Sequence, residues 1–324
     1  MRSFPYVTGA AALVLLLAAP LPASADDGDA FTIEDSRITE SSGLAASRAH
    51  PGVYWTHNDQ DEPRVFAVDS KTGKTLATVT LRGVGKPRDM EAISVGPDGN
   101  VYVGDIGDNL NGSWSHVWIY KFPEPKALKD LTVTATQYTV KYADGARNAE
   151  ALMVHPKTGR VYIASKNEDG GGLYEGPARL SSSGTNTFRR IAEVPWVTDG
   201  AFSPDGKELV LRSYFSARGY AWENGGLGAD HRVSAPIQGQ AESVTYTVDG
   251  KALMFGSEGE QSEVKRVALG DDSESDRGGN SPSGDGSPAA DDGGSDRSSF
   301  TYGAIVLVGA TALVLGIKRL LRRD

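Results

Sequence analysis

The chain of 324 residues has no cysteine at all. That removes disulfides, thiol catalysis and cysteine-bound zinc from consideration, and leaves any exported part to be held by its apolar core alone. Histidine is scarce, at 5 residues, and none shows metal-ligand spacing to another. There is no Gly-rich phosphate loop with its lysine, no Gly-x-Ser-x-Gly elbow and no complete EF-hand loop. A cationic surplus is missing too: the formal net charge is −9, which argues against sequence-independent nucleic-acid binding, since that rests on phosphate neutralisation. Helical periodicity is absent between residues 26 and 270, so no helical domain is expected there.

What is present begins with the two ends. Arg2, an unbroken apolar run over residues 10–19, the breakers Pro20 and Pro22, and the small residues Ala23-Ser24-Ala25 read as a secretory signal over 1–25, cleaved before Asp26. Residues 300–317 carry no charge. At about 1.5 Å of rise per residue such a helix reaches across a hydrocarbon layer of about 30 Å. Lys318, Arg319, Arg322 and Arg323 follow in the 318–324 tail, which the positive-inside bias places in the cytoplasm. Between body and anchor, residues 271–299 are mostly Asp, Gly, Ser and Pro. They lack the apolar content to order themselves and read as a disordered stalk. The expected product is a single-pass plasma-membrane protein with its body outside.

The body, 26–270, repeats at roughly fifty residues. Five segments share an acid, small residues and an apolar residue: Glu40-Ser41-Ser42-Gly43-Leu44, Asp89-Met90-Glu91-Ala92-Ile93, Asn148-Ala149-Glu150-Ala151-Leu152, Asp199-Gly200-Ala201-Phe202 and Ala241-Glu242-Ser243-Val244. Each leads into a turn, three of them carrying Asp-Gly (Asp98-Gly99, Asp205-Gly206, Asp249-Gly250), and then into a β-rich run such as Val101-Tyr102-Val103 or Leu253-Met254-Phe255. The fourth-strand runs include 76–81 and 138–142. Four antiparallel strands per repeat predict an all-β β-propeller of five four-stranded blades, with six as the alternative count, plus the C-terminal transmembrane helix. The last repeat ends after its third strand near Leu269, and 31–38 is the candidate to close the ring from the front.

These repeats resemble the WD40-like and phytase-like secreted β-propellers of actinobacteria. The likeness rests on Glu40-Ser41-Ser42-Gly43-Leu44, Trp55-Thr56-His57-Asn58-Asp59, Gly104-Asp105-Ile106-Gly107-Asp108-Asn109 and Asn148-Ala149-Glu150-Ala151-Leu152, and it covers the body. It implies fold and extracellular location, and the phytase-like label implies calcium and phosphoester chemistry.

An acid about five residues before a hairpin turn comes level with a residue about five beyond it. Glu91 is thereby expected beside Asp105, Glu40 near His57, Asn58 and Asp59, Glu150 near Lys166, Asn167 and Glu168, Asp199 near Arg212 and Tyr214, and Glu242 near Glu258 and Glu260. Innermost strands line a central channel, so these acids should ring one mouth. Carboxylates about 8 Å apart repel by roughly 2 kcal/mol at an effective dielectric near 20. Compensation can come from a cation, from protons, or from Arg64, Arg88, Arg147, Lys166 or Arg212. Three readings stay open: hydrogen-bonded acids that only fix blade to blade, a Ca²⁺-type site on Glu40, Glu91, Asp105, Glu150, Asp199 and Glu242, or direct ligand contact through His57, Asn58, Asp59, Arg88, Arg147, Lys166, Arg212 and Tyr214. The expected function is a surface-displayed module binding a small molecule, a glycan or a protein. Trp55, Trp114, Trp118, Trp196 and Trp222 are available for such contact. The alternative is a metal-dependent phosphoester hydrolase or a two-carboxylate glycosidase at the same mouth.

Overall fold

The computed structural model describes residues 30–60, 62–110, 112–166 and 170–270. The expected signal, stalk, membrane span and tail lie outside these residues, as do Asn167 and Glu168. Among the described residues there is no helix. A short β1 (Phe31–Thr32) precedes five antiparallel meanders. The first is β2 (Ser41–Ala46), β3 (Val53–Asn58), β4 (Arg64–Asp69) and β5 (Thr75–Arg82). The second is β6 (Met90–Val95), β7 (Asn100–Asp105), β8 (Val117–Pro123) and β10 (Thr136–Tyr142), with β9 (Leu131–Thr134) in the connection before β10. The third is β11 (Ala149–Val154), β12 (Val161–Ser165), β13 (Gly171–Glu175) and β14 (Thr185–Val194). The fourth is β15 (Asp199–Phe202), β16 (Glu208–Arg212), β17 (Ala217–Glu223) and β18 (Gly226–Val233). The fifth is β19 (Ala241–Tyr246), β20 (Ala252–Ser257) and β21 (Glu263–Ala268).

The first strands touch one another in cyclic order, β2 to β6 to β11 to β15 to β19 and back to β2. Five sheets radiating from a closed ring of inner strands make a five-bladed β-propeller. Closure comes from β1, which pairs antiparallel with β21 (Phe31 opposite Val264) as the fourth strand of the last blade. Only Phe31–Thr32 of the front segment is strand; Ile33 still donates its N–H to Ser262 O at 3.0 Å before the chain turns away. With this pairing the ring is completed within residues 31–268, and its five apolar clusters lie between consecutive blades. The body thus carries its own core.

Two features depart from plain four-stranded blades. Strand β9 adds in parallel to the outer edge of β5, giving the first blade five strands. The outer strands β10 and β14 also pair in parallel over Thr139–Tyr142 and Thr185–Phe188, joining the second and third blades into one sheet. Asn186 clasps that junction, its Nδ2 donating to Thr139 O and Ser181 O at 3.0 Å each. Both devices cover outer edges that would otherwise present unpaired backbone groups. The β17–β18 hairpin turns through Asn224 and Gly225, both at positive φ (52° and 81°), the backbone an Asn-Gly turn adopts.

Candidate functional site

One irregularity recurs where the inner strands begin. In the second blade Met90 faces Asp105 and Ala92 faces Gly104, so Glu91 has no partner residue. In the third blade Ala149 faces Ser165 and Ala151 faces Ala164, leaving out Glu150. In the fifth, Ala241 faces Ser257 and Ser243 faces Gly256, leaving out Glu242. Three acids thus occupy three equivalent β-bulges, and a bulge re-aims the side chain of the extra residue. The first blade has an irregularity at the same level, between Ser41 and Leu44. The fourth has none: Asp199 faces Arg212 and Gly200 faces Leu211 in unbroken register.

The bulged acids gather. Glu150 Oε1 lies 3.3 Å from Lys166 Nζ, which also donates to Tyr214 Oη at 2.9 Å. Glu150, Glu242 and Glu91 all hold the Lys166 ammonium well above its ordinary pKa against the opposing effect of burial. On the side of the first two blades, carboxylate oxygens of Asp59, Asp89 and Glu91 lie within 4.8 Å of one another. At an effective dielectric near 20, two ionised carboxylates at that distance repel by about 3 kcal/mol. Burial is the main cause that pushes all three pKa values up, with mutual repulsion added: Asp59 to about 9, Asp89 to about 7, and Glu91 far above the usual carboxylate range. Asp89 Oδ2 accepts from Asn109 Nδ2 at 3.0 Å, while the buried Oδ1 has no hydrogen-bond partner among the described residues. Buried Glu242 Oε2 is likewise without one, and burial raises the pKa of Glu242. Gly107 closes the side of the pocket. A Cβ there would stand 2.6 Å from Asp89 Oδ2 and 2.7 Å from Glu91 Cγ.

Glu40, Glu91, Glu150 and Glu242 therefore sit at one end of the channel, with Glu40 beside Asp59 at the rim. Asp105 and Asp199, expected in the same set, are occupied elsewhere. Asp105 accepts from Arg88 N, Asp89 N (2.8 Å) and Tyr120 Oη (2.5 Å), so it shapes the loop that carries Asp89. Asp199 accepts from Val244 N at 2.8 Å and ties the fourth blade to the fifth.

The expected ligand contacts divide similarly. Asp59, Lys166 and Tyr214 are at the mouth. His57 is fully buried instead, with Nδ1 3.2 Å from Asn58 O. Burial pushes its pKa down to about 4, so it is a neutral interior residue and not a group on the mouth. Asn58 latches the loop before β2, accepting from Thr39 N and Glu40 N at 3.1 Å each and donating to Arg37 O. Arg212 is buried and donates to Gly256 O and to Gln238 Oε1. Arg88 lies between the rings of Trp114 and Trp118, 4.0 and 3.8 Å from their centroids, and Arg147 pairs with Asp144 and Tyr174. Of the proposed compensating cations, Lys166 alone reaches the bulged acids by an ion pair among the described residues.

Asp89, Gly107 and Asn109 stand within segments quoted from the sequence, Asp89-Met90-Glu91 and Gly104–Asn109, but none of the three was named as a site residue. Strand alternation could not place Asp89 beside Glu91, because Asp89 precedes β6 and Glu91 sits in its bulge.

Neither a family comparison nor a comparison with curated proteins finds a match. Solved structures do resemble the body. One is a gluconolactonase from Xanthomonas campestris, 16% identical, with a TM-score of 0.47 over 74% of this chain and 78% of that one. Another is a chain of a nidogen/laminin complex, 17% identical, with a TM-score of 0.43 over 68% of this chain and 73% of that one.

Proposed function

We propose that the protein is an extracellular binding module, exported by residues 1–25 and held at the plasma membrane by 300–317. Its acidic channel mouth takes a divalent cation of the calcium type and, through it, an oxygen-rich ligand. The observation that carries the reading is the triad Asp59, Asp89 and Glu91, whose oxygens converge within 4.8 Å while a buried oxygen of Asp89 has no partner among the described residues. Hard cations select carboxylate oxygens of this kind, and a divalent ion offsets both the burial and the added repulsion that raise these pKa values. Lys166 does not serve, since its ammonium is committed to Glu150 and Tyr214.

The test is the melting temperature of residues 26–270 with Ca²⁺ and with chelator. A rise with Ca²⁺, reversed by chelator and lost in Asp89→Asn and Glu91→Gln, supports the site. An unchanged midpoint in the parent protein sinks it. Protease shaving of intact cells tests the topology: release of the body, with the tail protected, is the expected result.

A hydrolytic reading has one observation in its favour. Glu91, whose pKa burial and then the charge of Glu150 push well above the usual carboxylate range, stands near Glu150, which is paired with Lys166. Such unlike carboxyls are the acid and base of glycosidases. Turnover of a glycoside panel, abolished by Glu91→Gln, would favour it.

A further inference from the structure

The outer edge of the fourth blade differs from those of its neighbours. Among the described residues three strands end a sheet on its outer side: β1 with two residues, β9 with four and β18 with eight. The second and third blades have no such end, because β10 and β14 pair with each other. A long edge with unpaired N–H and C=O groups is a template for another strand. The side chains of β18 say which strand. Ala229, Asp230, His231 and Arg232 are all exposed. Arg232 stands directly opposite Arg218 of β17, and like charges so placed repel. Arg218 turns to Asp230 and forms an ion pair with it, while Arg232 has no ion pair among the described residues. The strand is left with a cation to be neutralised from its open side.

Backbone groups alternate in direction along a strand, so an antiparallel neighbour opposes only residues whose groups point the same way. Two copies of one strand can therefore pair antiparallel only with their two-fold axis on a residue. The register of β18 against β17 is regular from Asp230 to Val233. Val233 ends the strand, and Ala235 folds back to donate its N–H to Val233 O at 2.9 Å. Three axes remain. One on Asp230 opposes two carboxylates, and one on Arg232 opposes two guanidinium groups. An axis on His231 sets Asp230 against the partner's Arg232, twice by symmetry. The run Asp230-His231-Arg232 is its own complement on reversal, so the charges that keep other strands off this edge select a second copy of it. Within the chain, outer strand on outer strand already joins β10 to β14, there in parallel.

We infer that β18 is a self-association edge: two copies of the chain pair it antiparallel about His231, and Asp230 of each compensates the partner's Arg232. A contact this short makes a reversible dimer. The test is sedimentation equilibrium of residues 26–270, which hold the closed ring, over a concentration series. The parent protein forms a concentration-dependent dimer. Asp230→Lys and Arg232→Glu each weaken it by about tenfold or more, because two opposed pairs become two like-charged ones. An equimolar mixture of the two variants recovers it, because each then meets the opposite charges of the other. The chain has no cysteine, so one introduced thiol reads the register. His231→Cys lies opposite itself at about 4.5–5.5 Å between Cα atoms, within disulfide reach, and cross-links when diamide is added as oxidant. Ala229→Cys does not, since the axis on His231 holds its two copies four residues out of step, about 13 Å apart. A parent protein that stays monomeric at every concentration, a dimer that both reversals leave intact, a mixture that fails to recover it, or equal cross-linking at the two positions overturns the inference.

Discussion

The fourth blade and its neighbours begin their inner strands with the same kind of residue and use it differently. Glu91, Glu150 and Glu242 each stand in a bulge and project into a shared mouth. Asp199 stands in regular register and turns its carboxylate to Val244 N, with Arg212 nearby. The acid in the fourth blade is therefore a fastener between blades, while the others are held close together against their mutual repulsion. One inserted backbone residue per strand separates a carboxylate that fastens two blades from one that projects into the mouth.

The comparison is broken most directly at Arg212. In Arg212→Met the buried carbonyls of Ser243 and Gly256 and Oε1 of Gln238 lose their donor, and stability measured by chemical denaturation should fall by about 3 kcal/mol, the scale of buried acceptors left unsatisfied. Calcium should not restore it. Lys166→Met should cost less, about 2 kcal/mol, because Glu150 and Glu242 can regain a counter-charge. That loss should shrink when Ca²⁺ is added, and a calcium-insensitive loss would place Lys166 with Arg212 as a purely structural cation. Glu91→Gln should be nearly neutral for the cation-free protein at neutral pH, because burial already favours the uncharged carboxyl there and Gln fills the same space. Gly107→Ala should leave the charges alone and still abolish the calcium response, because the added Cβ meets Asp89 and Glu91 at 2.6–2.7 Å.

The last effect is on pH dependence. Folded Asp59 and Asp89 keep their protons up to about 9 and about 7, whereas an unfolded chain releases them near about 4. Over that window the folded state binds more protons, so its stability falls as pH rises from about 4 towards 9. His57 works oppositely, since its depressed pKa of about 4 makes the fold lose stability as pH falls from about 6.5 towards 4. Melting temperatures across pH should therefore decline on the alkaline side without cation. Calcium or Asp89→Asn should flatten the decline, and an unchanged slope in both would remove the shared-proton account.

Much of this was readable before any coordinates. The fifty-residue period and its Asp-Gly turns give the five blades, and the truncated last repeat points to closure by the front segment, as the Phe31–Val264 pair shows. The acids' arrival at one end followed from hairpin register. The third and fourth strands of the fourth blade were not singled out, although Asn224-Gly225 is a hairpin signal. The parallel junctions β5–β9 and β10–β14 carry no local signature, because each joins strands whose own repeats already account for them. Arginines near the acids in sequence proved a poor guide to charge compensation. Arg88 and Arg147 have aromatic and carboxylate partners of their own, and only the packing says which partner wins.

The sequence by itself determined the repeat, the strand order and the end of each blade on which acids would lie, because alternation and turn chemistry are local properties. It could not decide which acids face one another and which accept backbone N–H groups. That choice rests on bulges of a single residue and on distances between blades, and both exist only once the ring has closed.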